Sequence, residues 1–217
     1  MCGRVTLTLP DLDEVAEELS ARLEPADKAL YKPRYNGAPT DKLWMVELAP
    51  QGRVLIPAVW GFPGGNGLLI NARAETAERL GSFREAFAKR RVVVPADGFY
   101  EWKGEKKDRR PVWFRPRQGK LLFLAGLAEQ LPDGRPCFVL LTTEAAGPVA
   151  DLHDRMPVLL PREKIQSWLE RPDSGLLVPA PPDFLTATEV SDKVNNVRND
   201  DPSLLLPPDR PAQLALF

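Results

Sequence analysis

Between residues 92 and 143 the chain is built almost wholly of short apolar or alternating segments parted by turn residues. This stretch constrains the fold more than any other. Residues 92–94, 98–102, 111–115, 121–129 and 137–143 read as strands, with turns at Lys103-Gly104 and Pro132-Asp133-Gly134. Turns this short return each strand beside its predecessor, so the sheet is largely antiparallel. Strands that return locally, instead of alternating with helices, indicate an α+β domain. Residues 4–8, 43–48, 54–60 and 184–190 add further strands. Residues 11–23 read as an amphipathic helix with Asp11 as N-cap and Leu12, Val15, Ala16 and Leu19 on one face. A helical stretch over 74–90 is interrupted at Gly81-Ser82, and a helix over 163–170 follows Pro161. The glycine-rich residues 61–67 lack the dinucleotide-binding spacing and read as a hairpin loop.

With 217 residues the chain has the length of one domain. We assign residues 1–206 to it and 207–217 to a Pro-rich tail; from Pro202 onward no regular element is expected. Counts then exclude whole classes of function. One His excludes any site that needs two imidazoles. Two Cys, 135 positions apart, exclude a four-cysteine zinc or iron–sulfur site and a disulfide-dense scaffold. No metal or organic cofactor is implied, and the thiol count fits a reducing compartment. The first ten residues carry no signal-peptide core, and the longest apolar run, residues 121–128, is far short of the ~20 residues of a spanning helix. The expectation is a cytoplasmic protein with no membrane partner.

A formal net charge of −1 argues against nucleic acid only until it is divided. Residues 71–120 hold 14 basic and 7 acidic side chains, a net +7 between acidic flanks. Lys89, Arg90, Arg91, Lys103, Lys106, Lys107, Arg109, Arg110, Arg115 and Arg117 carry most of it. Such a run is either a solvated helix end with a charged hairpin or a phosphate-tracking surface.

Cys2 is small enough to permit removal of the initiator Met, which would leave an amine and a thiol on adjacent carbons. An α-amino group titrates near 8, so part of it is neutral at pH 7 and can attack an aldehyde. The thiol then closes a five-membered thiazolidine intramolecularly. Read alone, a cysteine at this place is more often an incidental residue. His153, the sole imidazole, sits among Asp151, Asp154 and Arg155 before a Pro, in a loop. Glu101 lies at a strand end between Tyr100 and Trp102, neighbours that desolvate a carboxylate and suit it to proton transfer. It reads as well as a surface acid alternating with buried aromatics. Asn71 by itself is an ordinary turn or capping residue.

Taken together these segments resemble a family. Cys2-Gly3-Arg4, Arg34-Tyr35-Asn36 with Ala38-Pro39-Thr40, Trp60-Gly61, residues 71–76 (NARAET), 95–102 (PADGFYEW), Thr142-Thr143, 153–157 (HDRMP) and 194–202 (VNNVRNDDP) occur in order across residues 2 to about 206. They are similar to the SOS response-associated peptidases, or SRAP proteins, also called abasic-site processing proteins. The resemblance implies one compact α+β domain with a barrel-like, largely antiparallel sheet, peripheral helices and a positively charged groove. It implies covalent capture of abasic sites in single-stranded DNA, with slow reversal or lyase activity and self-removal of Met1. Cys2 would supply both nucleophiles and Asn71 would position its amine. Glu101 would shuttle protons, and His153 would protonate the sugar oxygen or promote strand scission. Arg4, Arg73 and Arg155 would bind flanking phosphates, with Asn36, Pro39, Trp60 and Trp102 completing the DNA-contacting set. Two departures stand out. The loop after Trp60-Gly61 is short where many relatives have a longer one with Pro and Trp, and Val92-Val93-Val94 stands where a relative often has Cys. Cys137 reads as a packing residue.

The chain ends Gln213-Leu214-Ala215-Leu216-Phe217, which resembles the peptide by which bacterial repair proteins dock on the DNA sliding clamp. Gln213, Leu214, Leu216 and Phe217 are the expected contacts; the alternative is that this tip packs on its own domain. The protein is expected to act as a monomer. Two rival functions remain: a peptidase or amidase using Cys2, and a non-covalent single-strand adaptor recruited by the clamp.

Overall fold

The computed structural model describes residues 2–65, 67–104 and 109–208. Its centre is a closed ring of five strands. Lys42–Ala49 pairs with Gly52–Trp60, which meets Pro136–Glu144; Leu122–Gln130 and Arg91–Ala96 follow, and Val46 opposite Val93 closes the ring. All pairings within it are antiparallel except that of Cys137-Phe138 with Val59-Trp60, which is parallel. Strand periodicity sorts the side chains into two cores. Met45, Ala58, Trp60, Val92, Val94, Leu122, Leu124, Phe138 and Leu140 share one cluster. Trp44, Val46, Leu55, Val93, Ala125, Leu127, Val139 and Leu141 face the opposite way, into a cluster with the helices. Those helices are Leu12–Leu19, Ala74–Ala77, Arg84–Lys89 and Ile165–Glu170.

A second, antiparallel sheet runs in the order Leu185–Glu189, Arg110–Pro116, Gly98–Lys103, Val5–Leu7, Arg34–Gly37. Phe99, Val112 and Phe114 pack on the ring's interior cluster. Tyr100, Trp102 and Trp113 face the other way, toward Val190, Val194 and Leu204. Gly98 is required here, because a Cβ on it would lie 2.1 Å from Trp113 Nε1 and 2.8 Å from the Phe114 carbonyl. The fold class, an α+β domain with a barrel-like sheet, is therefore as expected from the sequence.

Several local details differ from the sequence-based expectation. The helix over 11–23 stops at Leu19, because Ser20 turns left-handed (φ 49°) and its N–H closes on Ala16 and Glu17. Arg22–Leu23 is instead a short strand pairing in parallel with Val54-Leu55. Pro202–Leu205 forms a 3-10 turn with Leu204 fully buried, and Ser191 donates to the Leu206 carbonyl. Regular structure thus runs past Pro202, because Leu204 has an apolar niche to fill.

Candidate active site

The strand Pro136–Glu144 organises the site. Gly52–Trp60 lies along its edge as far as Gly61, which turns away at φ 127° after donating its N–H to the Phe138 carbonyl. A hairpin, Phe62–Gly64 with Gly67–Leu69, carries the chain out and back. Leu140 then donates to the Ile70 carbonyl, and Asn71–Arg73 continues along the same edge, Asn71 opposite Leu140. Asn71 is therefore a strand residue, not a turn. On the strand's other edge Arg155–Pro157 pairs with Thr142–Glu144.

Cys2 is fully buried just before strand Val5–Leu7, in one cluster with Phe99, Phe114 and Leu140. Asn71 Nδ2 donates to the Cys2 carbonyl at 2.7 Å. Its Oδ1 is buried with no hydrogen-bond partner among the described residues, an acceptor held beside the Cys2 main chain. Glu101 shares the parity of Phe99 on its strand and is 4% exposed. Burial pushes its carboxyl up, and the nearby His153 and Arg109 side chains act in the opposite direction. The Cys2 thiol is pushed far up by burial and then by the negative charge of Glu101. It is a neutral thiol until a base takes its proton.

His153 ends a turn anchored on buried Val149, to whose carbonyl both Leu152 and His153 donate. The Arg155 backbone N–H donates to His153 Nδ1 at 2.9 Å, while Asp154 Oδ1 stands 2.8 Å from the same nitrogen. A hydrogen bond links Asn71 to Cys2, and electrostatic coupling links Cys2 to Glu101 and Glu101 to His153. The four residues singled out as chemical thus converge. Among the described residues no group of three or more His, Cys, Asp and Glu is arranged to hold a metal ion. No helix among them is long and apolar enough to cross a membrane.

The residues expected to contact DNA divide sharply. Arg73 is exposed and Pro39 half-buried. Arg4 lies 5.6 Å over the Trp102 ring and donates to Asn36 Oδ1 (2.7 Å) and the Val194 carbonyl (2.9 Å). Trp102 is half-buried and donates to Asn195 Oδ1. Asn36, by contrast, is fully buried, its Nδ2 within 2.9–3.2 Å of the Val194, Asn196 and Asn199 carbonyls. The Tyr35 and Asn36 N–H groups converge on Asp200 Oδ1, and Arg34 pairs with Asp41 and Asp200. Residues 34–36 therefore clamp the 194–200 segment, and Asn36 serves the fold rather than a ligand. Trp60 is likewise interior, fully buried, stacked on Phe138 and bonded to the Ile70 carbonyl. It has no face to offer DNA. Arg155 is engaged too. Both terminal nitrogens grip Glu75 (2.7 and 2.8 Å), one also bonds the Thr142 carbonyl (2.6 Å), and the side chain is 13% exposed.

The basic run is also thinner than its sequence. Arg91 is buried and donates to the Phe87, Trp168 and Leu169 carbonyls, tying down two helix ends. Arg90 pairs with Glu129 and Glu85, and Lys89 with Glu85. Lys103, Arg109, Arg115 and Arg117 are exposed, whereas Lys106 and Lys107 lie outside the described residues. Gln213, Leu214, Leu216 and Phe217 also lie outside them. Cys137 is fully buried, as a packing residue should be. Sequence reasoning missed Glu75 as a site component; its one signal was its place in the same short segment as Asn71 and Arg73.

Ring, second sheet and site together define a class: an α+β domain that seats a cysteine at position two against an amide, an acid and an imidazole. The profile of the SOS response associated peptidase (SRAP) family matches residues 1–197, and the chain belongs to that family. It is 33% identical over 223 residues to the abasic site processing protein YoqW of Bacillus subtilis, covering 94% of this chain and 99% of that one. It is 29% identical to the abasic site processing protein YedK of Escherichia coli over 80% of this chain and 84% of that one. A crystal structure of a Bacteroides thetaiotaomicron protein shares the fold, with a TM-score of 0.80 at 19% identity over 95% of this chain and 99% of that one. A phage-related protein of Bordetella bronchiseptica superposes with a TM-score of 0.70 at 30% identity, over 87% and 94% of the two chains.

Proposed function

We propose that this protein processes abasic sites in single-stranded DNA by capturing them covalently on Cys2. The reading is carried by one observation: Asn71 holds the Cys2 main chain and keeps beside it a buried acceptor that has no partner among the described residues. Once Met1 is hydrolysed away, the new amine would donate to that acceptor and have its lone pair aimed outward. A ring-opened abasic site presents an aldehyde. The amine nitrogen adds to its carbon, and loss of one water gives an imine. The thiol sulfur then adds to the imine carbon while its proton passes, through Glu101, to the nitrogen. The product is a thiazolidine, with one water released overall. Because burial keeps the thiol neutral, the amine attacks first and the acid governs closure. His153 serves the sugar oxygen in reversal or strand scission. Arg4, Arg73 and Trp102, with Lys103 and Arg109, supply backbone charge and stacking, which suffice where the target lacks a base. The names of YoqW and YedK support the same substrate class. The setting is cytoplasmic, at DNA exposed by replication, with the C-terminal peptide as a docking tag for the sliding clamp.

The test is incubation with single-stranded DNA bearing an abasic site. An SDS-resistant adduct is expected, lost in Cys2→Ala and when the amino terminus is blocked. Peptide cleavage without DNA would favour the peptidase that the family description names. Salt-sensitive binding with no adduct would leave only an adaptor. A general peptidase is disfavoured by the buried, neutral thiol. Pull-down with purified clamp, lost on deleting residues 213–217, tests the docking tag.

A further inference from the structure

His153 Nδ1 has two competing neighbours that demand opposite things of it. The Arg155 N–H requires a lone pair on Nδ1, which puts the neutral ring's proton on Nε2. The Asp154 carboxylate, at 2.8 Å, favours a proton on Nδ1 instead. Which partner prevails depends on how firmly Arg155 is held. Its strand, Arg155–Pro157, has three residues, and Arg155 is the first, where a ladder frays. Two anchors oppose fraying. The backbone pairs with Glu144, and the side chain reaches across to the Thr142 carbonyl and bidentately to Glu75. Glu75 comes from helix Ala74–Ala77, directly after the strand that carries Asn71. The segment that holds Cys2 by its carbonyl therefore also holds, through Arg155, the backbone donor that faces His153.

We propose that Glu75 is a positioning residue for His153. Its grip on Arg155 keeps the Arg155 N–H on Nδ1 and so fixes the Nε2–H tautomer against the pull of Asp154. Nothing in this depends on Arg155 touching DNA. The catalytic consequence rests on the abasic-site reading above; the tautomer does not, and the two are measured separately.

The untagged 217-residue chain contains one histidine, so its imidazole gives a single set of ring signals. Nitrogen-15 NMR of that ring, above its titration, should show the Nε2–H form in the wild type. A mixed or Nδ1–H pattern is expected in Glu75→Gln, with Glu75→Asp restoring much of the wild-type pattern. An unchanged tautomer in a folded Glu75→Gln protein overturns the proposal, whatever the protein's activity. The second arm measures reversal or scission of the abasic-site adduct. Glu75→Gln should slow it about tenfold or more and shift its pH profile, while affinity for a non-reactive tetrahydrofuran-site strand stays within about twofold. In a His153→Gln background the same change should add almost nothing. Equal slowing in both backgrounds also overturns the proposal. So does tighter DNA binding with a salt slope steeper by about one, which would make Glu75 a counter-ion that masks Arg155 from phosphate. Failure of the wild type to form any adduct would refute the abasic-site reading and leave the tautomer result to decide this one.

Discussion

Replacing Asn36 by Ala separates a structural amide from a DNA ligand. Asn36 Nδ2 lies near three carbonyls of the 194–199 segment, and its Oδ1 accepts from Arg4 at 2.7 Å. An amide nitrogen has two protons, so two of the three carbonyls are served at a time. Each such bond contributes about 1 kcal/mol net, and the charge-assisted bond to Arg4 about 1.5–3 kcal/mol. Truncation also leaves buried groups unpaired, since Asn36 is fully enclosed. The expected loss is about 3–5 kcal/mol, which for a chain of this size is roughly 6–20 °C in Tm. Urea titration should move the midpoint with an unchanged slope. A loss under about 1 kcal/mol, accompanied by failure to bind single-stranded DNA, would refute the clamp and restore Asn36 as a ligand.

Glu101→Gln should stabilise the folded protein at pH 8. Its native carboxyl titrates above the ordinary Glu value of about 4.3, so the acid's stabilising proton is fully present below that value and lost as pH rises through the native one. The variant's advantage in Tm should therefore shrink on acidification, while adduct formation is slowed; an advantage that grows toward low pH would contradict the buried acid. Gly98→Ala forces a Cβ onto Trp113 and the Phe114 carbonyl, costing about 1–3 kcal/mol by urea unfolding. It should also slow adduct formation, because Glu101 rides on the same strand. Leu204→Ala should cost about 2–5 kcal/mol, since Leu204 is fully buried beside Tyr100, Val190 and Val194. An unchanged Tm would mean the 202–205 turn is not part of the domain.

Segments with several turns of apolar alternation were readable without coordinates. The strands from Arg91 to Glu144 and the four buried positions of the first helix fall where periodicity puts them. Among the strands that escaped are Arg22–Leu23, Arg34–Gly37, Asn71–Arg73 and Arg155–Pro157, each two to four residues long. A strand that short has no period to detect, and its partner lies far away in sequence. Arg91 and Trp60 escaped for a related reason. A cation in a basic run reads as solvated or phosphate-tracking, and Trp60 enters the DNA-contacting set through the family resemblance alone. The ring's closure buries Trp60 against Phe138, whereas Arg91 faces the other way and is buried by the helix ends whose carbonyls it binds. Cys2, Asn71, Glu101 and His153 were chosen by their chemistry and by the motifs that carry them. The fate of Arg155 was hidden because its carboxylate partner stands 80 residues earlier.

The chain leaves the edge of strand Pro136–Glu144 at Gly61 and rejoins it at Ile70, each end pinned by a hydrogen bond to that strand, at Phe138 and Leu140. Whatever lies between hangs from two fixed posts. Asn71's register is set at these posts, beside which Phe62 and Leu69 of the excursion pack into the core. The exposed part of the excursion is thus an exchangeable fitting on a fixed frame. A longer loop or a short glycine-rich one can be mounted there while the seat of Cys2 stays where it is.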